Sequence, residues 1–361
     1  MKIVEVKSNI LRVPTDKLIT DSQHSLEHVE VITCDIVTSD GQHGFGFTYT
    51  IGTGAFAIKA VIDTIYKKII IESDPSEIQS LWWKMWNKTH AVGRGGITTH
   101  ALAAVDIALW DLKGKEVEQP LHRLLNGSRR GVPLYDTDRG WLHYSKDELV
   151  KSALEIQREG FFGFKMKVGK KTLGEDIDRI TSVMDALEGK LPVMIDANQI
   201  FSPSEAIQRG RAFEKLGVYW YEEPIVADDV WGHAALAKQL DVPIAVGETI
   251  FSKYEFHSYL KLGACDILQQ DVCRVGGITE WLEIAQLGET NGVKVSPHFV
   301  MDMHPSLVVS IPNGMFVEYI PWLRKIFKSP PKIENGLIFP SDSPGIGLEL
   351  NETVTSRFLA A

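Results

Sequence analysis

The stretch Phe164-Lys165-Met166-Lys167-Val168-Gly169 places two lysines one residue apart at the end of an apolar run. Successive side chains of a strand point to opposite faces, so Lys165 and Lys167 would point the same way. Two neighbouring ammonium groups repel each other. Such a pair is typical either of a solvated edge strand or of a site that holds an anion and supplies a base. The rest of the chain decides between these two interpretations.

The composition is that of a globular chain. Of its 361 residues, 44% are hydrophobic and 24% are charged, which predicts one large domain and one smaller one. A net charge of −9 without a dense basic stripe argues against a nucleic-acid partner. The first residues predict a strand rather than a signal peptide, and no apolar run reaches the roughly 18 residues of a membrane span. Cys34, Cys265 and Cys273 fit no metal or disulfide spacing, which indicates free thiols and a cytoplasmic location.

The first 130 residues have the pattern of an α+β domain. Apolar alternation predicts strands at 2–13, 29–38 and 43–49, and helical periodicity predicts helices at 54–72, 76–90 and 97–117. A polar segment at 15–28, which contains Asp21 and His24, is predicted to be a surface loop or a lid over a polar site. We therefore predict an N-terminal α+β domain over 1–130.

After residue 131, short apolar runs alternate with amphipathic helices. The predicted strands lie at 132–136, 161–168, 192–197, 218–222, 242–247, 265–270, 293–297 and 314–318, and the helices between them include 146–159, 173–188, 203–216 and 277–290. Strands that alternate with helices in this way indicate a (β/α)8-type barrel over 131–330. The tail, 331–361, is predicted to pack back on the first domain.

Three carboxylates close consecutive barrel strands. Asp196, Glu222 and Glu248 follow one another at intervals of 26 residues, which is one β/α unit each. Adjacent strands of a barrel would bring them to one rim, where like charges need a cation. Oxygen ligands suit Mg²⁺, with Mn²⁺ as the alternative. The competing interpretation is three unrelated surface acids. Glu223 adjoins Glu222, and only one of the two can face inward; we predict Glu222.

The strand-end pattern continues along the chain. Asp271 ends the sixth barrel strand, His298 follows the seventh and Glu318 ends the eighth. An aspartate beside a histidine sets the tautomer of the imidazole and raises its basicity, which predicts a general acid or base at His298. His304 is predicted to begin a helix, with a place in the pocket as the alternative.

These motifs together resemble the mandelate racemase subgroup of the enolase superfamily. The resemblance covers essentially the whole chain and includes the helix Ala104–Asp111 and the tract Arg274–Ile278. Its ordered motifs are Lys165-x-Lys167, Asp196-x-Asn198, Glu222-Glu223-Pro224, Gly247-Glu248, Asp271, His298 and Glu318. The resemblance implies an α/β fold: a modified (β/α)7β TIM-type barrel under an N-terminal α+β capping domain that the C-terminal tail completes.

The resemblance also implies roles for individual residues. It implies Mg²⁺ held by Asp196, Glu222 and Glu248, abstraction of the proton α to a substrate carboxylate, and an enediolate stabilised on the metal. Lys167 is expected to be the base on one face, with Lys165 binding the carboxylate and lowering the pKa of Lys167. On the other face, His298 with Asp271 is the expected acid or base. Glu318 is expected to donate a hydrogen bond to the carboxylate, and the other residues expected to bind substrate are Asn198, His24 and Arg274.

The same half-reaction serves several outcomes. The polar segment at 15–28, Arg274 and the tract Pro297–Met301 favour dehydration of a sugar acid, as in galactarate/talarate-type dehydratases. The alternatives are a racemase or epimerase of a 2-hydroxy acid, a cycloisomerase of a sugar-acid lactone or anhydro-sugar acid, and a carboxylate-binding relative without activity. The resemblance also implies a homo-oligomer, commonly an octamer.

Overall fold

The computed structural model describes residues 1–360. Its N-terminal domain begins with an antiparallel sheet of order β1-β2-β3, formed by β1 (Ile3–Thr20), β2 (Ser25–Thr38) and β3 (His43–Thr50). The predicted loop at 15–28 is wrong for most of its length, because Ile19 pairs with Leu26 and both side chains are buried. The chain reverses at Asp21, whose carboxylate accepts the backbone N–H groups of Gln23 and His24 at 2.7 Å each.

The helices of this domain cover the sheet. They are α1 (Ala55–Val61), α2 (Lys67–Ile70), α3 (Ile78–Lys88), α4 (Ile97–Glu116) and α5 (Leu121–Leu124). The helix predicted at 54–72 is interrupted by a π-helical turn at Ile62–Tyr66. Helix α4 is buried almost all round, and it approaches β3 so closely that a Cβ at Gly46 would lie 2.1 Å from the Ala104 carbonyl oxygen. Within residues 1–360, no helix is both long and apolar enough to cross a bilayer.

Eight parallel strands form the barrel, and the predicted (β/α)7β architecture is confirmed. The strands are β4 (Val132–Asp136), β5 (Gly163–Lys167), β6 (Val193–Asp196), β7 (Tyr221–Glu222), β8 (Ile244–Val246), β9 (Ile267–Leu268), β10 (Lys294–Val295) and β11 (Val317–Tyr319). Each pairs with the next in register up to β10, and β11 pairs with β4. A bridge between Val295 and Gly314 completes the closure. The carboxyl ends of all eight strands therefore meet at one rim.

One helix follows each of the first seven barrel strands. These helices are α6 (Lys146–Arg158), α7 (Leu173–Leu187), α8 (Pro203–Leu216), α9 (Val230–Gln239), α10 (Lys253–Leu262), α11 (Ile278–Thr290) and α12 (His304–Val308). Capping boxes begin α6 and α7, where Ser145 and Thr172 each accept an N–H from the third helical residue. His304 begins α12, as predicted, and its buried ring contacts backbone groups of Phe299 and Val272.

The C-terminal residues touch both domains. After a 3₁₀ helix at Pro321–Ile326, the hairpin of β12 (Ile333–Glu334) and β13 (Leu337–Ile338) pairs with β4 of the barrel. Beyond it, with the short α13 (Glu352–Thr355), the chain runs along the N-terminal domain, bridging Gly345 to Pro120 and Leu359 to Leu11. The division at 1–130, 131–330 and 331–361 stays a prediction.

A tight contact between α4 and the start of α11 joins the two domains. The buried Asp106 carboxylate accepts the Thr279 backbone N–H at 3.0 Å and the Thr279 hydroxyl at 2.6 Å. Gly277 lies against this carboxylate with φ of +98°, and a Cβ there would lie 2.3 Å from Asp106 Oδ2. The domains therefore dock through a position that excludes any side chain.

We expect Gly277→Ala to lower the free energy of unfolding by about 2–3 kcal/mol, because backbone strain adds to the clash with Asp106. The matched control is Gly263→Ala, which has a φ of +58° but no heavy atom within 4 Å of the added Cβ. That variant should lose only about 1 kcal/mol. Urea unfolding of both variants measures the difference. Equal losses would show that the Asp106 contact leaves room for a methyl group.

Candidate active site

The three predicted carboxylates converge at the rim of the barrel. Asp196 ends β6, Glu222 ends β7 and Glu248 follows β8, and the register pairs Asp196 directly with Glu222. One carboxylate oxygen of each residue lies within 4.8 Å of the other two. Asp196 and Glu222 are fully buried, so the cluster is not three separate surface acids. An all-oxygen set of this size and charge fits Mg²⁺.

Both lysines of the opening stretch face this cluster. Lys165 is 0% exposed and Lys167 is 4% exposed, which excludes a solvated edge strand. The Lys165 Nζ lies 2.5 Å from Glu222, 2.8 Å from Glu318 and 3.4 Å from Asp196. The Lys167 Nζ lies 2.5 Å from Asp196. The two ammonium groups therefore offset part of the charge of the three carboxylates that they contact.

The expected lowering of the Lys167 pKa in the metal-bound site stays a prediction. Burial is the largest influence on Lys167 and lowers its pKa, and Lys165 also lowers it, but Asp196, Glu248 and Asp21 together raise the pKa above its ordinary value. Burial opposes ionisation of Asp196 too, yet the two lysines hold the pKa of that carboxyl below its usual range. Lys167 can lose its proton only when the charge of Asp196 is engaged elsewhere, as by a bound cation.

Glu222 and Glu223 point to different sides of the strand. The Oε2 atom of Glu222 accepts hydrogen bonds from the indole of Trp220 at 3.1 Å and the amide of Gln269 at 2.7 Å. Glu223 instead accepts hydrogen bonds from the amide of Gln199 and the hydroxyl of Thr249. Only Glu222 belongs to the converging set of three carboxylates.

His298 lies between two carboxylates. Its Nδ1 is 3.0 Å from Asp271 and its Nε2 is 3.1 Å from Glu248. The hydroxyl of Tyr49 donates to the same Asp271 oxygen at 2.6 Å. Burial disfavours the charge on Asp271, but the contacts with His298 and Arg274 outweigh it and lower the pKa of Asp271 to about 2. An ionised Asp271 fixes the proton of His298 on Nδ1 and leaves Nε2 to exchange protons.

Glu318 accepts hydrogen bonds instead of donating one. Its oxygens receive the Thr137 hydroxyl at 2.6 Å and the Phe299 backbone N–H at 2.8 Å, in addition to the Lys165 ammonium. Burial opposes its ionisation, but Lys165 and His298 lower the pKa of Glu318 to about 2. The donor role that the resemblance implied requires a protonated carboxyl when substrate is bound, and it stays a prediction.

A cavity of about 210 Å³ lies above these groups, between the barrel and the N-terminal domain. Lys167, His298 and Glu248 line it, together with four of the five residues expected to bind substrate: Asn198, His24, Arg274 and Glu318. Lys165, the fifth, is fully buried and is not among the lining residues. The hairpin tip closes one side, because Ser22 and Gln23 donate to the backbone carbonyls of Ala197 and Asn198. The walls of the cavity are not purely polar. They also include the apolar residues Ile19, Leu26, Trp141, Phe299, Ile320 and Trp322.

Two family models match the chain. The N-terminal domain model of the mandelate racemase / muconate lactonizing enzyme family matches residues 4–126, and the enolase C-terminal domain-like model matches residues 148–354. The chain belongs to this family. The resemblance that the motifs carried is thereby confirmed, as is the capping domain over a barrel.

Relatives of this enolase-superfamily chain are metabolic enzymes. The L-talarate/galactarate dehydratase of Salmonella typhimurium is 38% identical over 337 residues, which are 93% of this chain and 84% of that protein. The 3,6-anhydro-alpha-L-galactonate cycloisomerase of Streptomyces coelicolor is 33% identical over 351 residues, 97% of each protein. A racemase from Streptomyces coelicolor A3(2), solved with bound magnesium, is similar with a TM-score of 0.95 at 33% identity, covering 99% of this chain and 100% of that one.

Several groups at the site of this mandelate racemase-type chain were not found from the sequence. Tyr49 and His100 come from the capping domain, and Gln269 comes from inside the barrel. Tyr49 and His100 lie outside the barrel, and Gln269, although it follows β9, is uncharged, so a pattern of charged strand ends carried no signal for them. The alternation of β3 could have placed Tyr49 on one face, but not opposite Asp271, which lies 222 residues away.

We expect Tyr49→Phe to weaken the step that depends on His298 by about tenfold, because Asp271 loses one strong hydrogen bond and holds the imidazole less firmly. Proton exchange that depends on Lys167 should change by less than about twofold, since Tyr49 is not among its contacts. The two steps are measured separately with acids of opposite configuration at the α-carbon. An equal loss in both would mean that Tyr49 supports the whole cavity instead of the imidazole.

Proposed function

We propose that this chain is a Mg²⁺-dependent lyase that dehydrates a sugar acid, an aldarate or aldonate, to a 2-keto-3-deoxy acid. One observation carries the proposal. Lys167 contacts Asp196 at one end of the carboxylate cluster, His298 contacts Glu248 at the other, and both line one cavity. A small acid bound between them would meet a possible base on each side.

Asp196, Glu222 and Glu248 are the residues that would hold the metal. The relative from Streptomyces coelicolor with bound magnesium supports this assignment, as does the spacing of the three oxygen donors. Bound Mg²⁺ would neutralise charge on the substrate carboxylate and so make the neighbouring C–H bond more acidic. Mn²⁺ prefers similar ligands and is the alternative.

The side chains of this protein carry the proton transfers. Lys167 Nζ takes the α-proton, and the electrons of the C–H bond form a double bond to the β-carbon. His298 enters this step protonated on both ring nitrogens; its Nε2–H gives a proton to the β-hydroxyl, which leaves as water, and the enol product becomes the 2-keto acid. Lys165 places a second positive charge beside the substrate carboxylate, where negative charge develops. Asp271 keeps the imidazole oriented throughout.

The substrate class rests on the lining of the cavity and on the relatives. His24 and Asn198 supply polar groups for hydroxyls or a second carboxylate. The similar L-talarate/galactarate dehydratase points to the same class. Cycloisomerisation of an anhydro-sugar acid is the second candidate, because Ile19, Leu26 and Trp141 give the cavity an apolar wall and the Streptomyces relative has that activity. A racemase or epimerase, returning the proton through His298, is the third.

Incubation with Mg²⁺ and a panel of aldonates, aldarates and anhydro-sugar acids in D₂O tests the proposal by NMR. A 2-keto-3-deoxy product supports dehydration. Deuterium at the α-carbon without loss of the acid indicates a racemase or epimerase, and an isomer without water loss indicates a cycloisomerase. Chelation of the metal should abolish each of these reactions. No exchange with any acid would contradict the proposal and favour a binding protein without activity.

We further propose that the enzyme works in the cytoplasm as a homo-oligomer, with the octamer that the resemblance implies as the expected form. Its three cysteines are free and buried, which suits a reducing compartment. Several large apolar side chains are exposed, with Trp231 at 72% and Val92 at 73%, as expected for surfaces that another copy covers. Light scattering on the purified chain measures the assembly.

A further inference from the structure

His100 has no role in the chemistry proposed above, yet its side chain lines the same cavity as Lys167 and His298. It lies in the first turn of α4, on the capping domain. Its ring is 6.0 Å from the ring of Phe251, and Arg274 is near enough to affect its charge. It is therefore a titratable side chain of the cavity that is held by the cap and not by the barrel.

Hydrogen bonds at Thr48 decide the tautomer of His100. The Thr48 hydroxyl lies 2.8 Å from the carbonyl oxygen of Cys273 and 3.1 Å from His100 Nδ1. A hydroxyl has one hydrogen, and a carbonyl oxygen can only accept, so the hydroxyl hydrogen goes to Cys273. The other contact is then a hydrogen bond from Nδ1–H of His100 to the Thr48 oxygen. A neutral ring protonated at Nδ1 has a lone pair on Nε2.

The charge of the ring is held at zero. Burial, followed by the Arg274 guanidinium, lowers the pKa of His100 to about 3, against the opposing effects of Asp271 and the Tyr49 carbonyl. The Tyr49 carbonyl can accept only from an N–H, which in this tautomer is the same Nδ1–H that contacts Thr48. His100, a lining residue of the cavity, thus keeps an acceptor, Nε2, that no protein group within residues 1–360 uses. A hydroxyl can donate to such an atom, whereas an ionised carboxylate is repelled by it.

We propose that Nε2 of His100 accepts a hydrogen bond from one hydroxyl of the bound acid, so that the capping domain selects a polyhydroxy chain and rejects a carboxylate at that position. The inference rests on the proposed function and narrows its substrate class. The end of the acid next to the metal ligands must carry the carboxylate, while the group that meets His100 must be a hydroxyl. His100 is thus a specificity-determining residue.

The first test compares the most reactive acid of the panel with its monodeoxy analogues at C4, C5 and C6, each assayed with Mg²⁺. For one of these positions, removal of the hydroxyl should lower kcat/KM of the unchanged enzyme about tenfold. His100→Phe should lower kcat/KM for the parent acid by a similar factor. For that one analogue, kcat/KM of His100→Phe should stay within about twofold of the value for the unchanged enzyme. His100→Gln, whose amide oxygen can accept the same hydrogen bond, should restore part of the loss. If His100→Phe lowered kcat/KM equally for the parent acid and for every monodeoxy analogue, the proposal would be overturned.

The second test does not depend on turnover. In full-length protein labelled with ¹⁵N-histidine, the His100 signals are assigned by their disappearance in His100→Gln. At neutral pH we expect a hydrogen on Nδ1 and none on Nε2. A hydrogen on Nε2, or a doubly protonated ring, would overturn the proposal even if no acid of the panel reacts. If no acid of the panel reacts but His100 carries its hydrogen on Nδ1, the proposed function is contradicted and the inference about His100 is not.

Discussion

Replacing Lys167 with alanine is expected to abolish α-proton exchange for acids of one configuration, while His298→Asn abolishes it for the opposite configuration. The two groups contact opposite ends of the carboxylate cluster, through Asp196 and Glu248, so each reaches a different face of an acid held between them. A positioned base contributes about 10²–10⁴-fold to a proton transfer. Deuterium incorporation is measured by NMR for acids of both configurations. Each variant should lose that factor with acids of one configuration and keep its rate with acids of the other.

The folded state should tolerate the loss of Lys167, because Lys165 remains 3.4 Å from Asp196 and keeps its charge partnered. Lys171→Ala removes an exposed lysine four residues along the chain and is the matched control, with exchange unchanged in both series. If Lys167→Ala and His298→Asn lost activity equally with both configurations, the two groups would act in sequence on one face. The assignment of one base to each face would then be wrong.

Replacing Glu222 with glutamine is expected to lower the affinity for Mg²⁺ by more than about 100-fold, which exceeds the typical effect of residues that only support metal ligands. Glutamine has the same shape, but it removes one of three charges that face the cation. The buried Lys165 would also lose its contact at 2.5 Å and keep Glu318 at 2.8 Å as its nearest partner. Calorimetric titration with Mg²⁺ measures the affinity, and the exchange assay should show a parallel loss.

The neighbouring Glu223 offers a matched control for this substitution. It is equally buried and one residue away, but its carboxylate contacts Gln199 and Thr249 instead of the cluster. Burial raises the pKa of both glutamates, so the contrast between the two substitutions rests on geometry: only Glu222 belongs to the converging set of carboxylates. Glu223→Gln should bind Mg²⁺ within about tenfold of the unchanged chain. A greater loss for Glu223→Gln than for Glu222→Gln would reverse the choice between the two glutamates.

Much of the barrel and its charged rim could be predicted from local sequence. Parallel strands separated by helices have a regular period, and their ends meet at one rim, so the spacing of Asp196, Glu222 and Glu248 was enough to place them together. The hairpin at 15–28 could not be predicted, because its polar residues resemble a loop. Only the burial of Ile19 against Leu26 makes its arms pair as strands.

The α/β barrel, the family and the residue types at each strand end could be read from the chain, because they follow from periodicity and from motifs of adjacent residues. The charge interactions within the site depend instead on contacts that form in the folded protein. Lys167 has a raised pKa because Asp196 is within 2.5 Å, and Glu318 accepts hydrogen bonds because Lys165 reaches it. His100 enters the cavity through a contact with Thr48, 52 residues away. Charge–charge energies depend on distance and burial, which no spacing along the chain specifies.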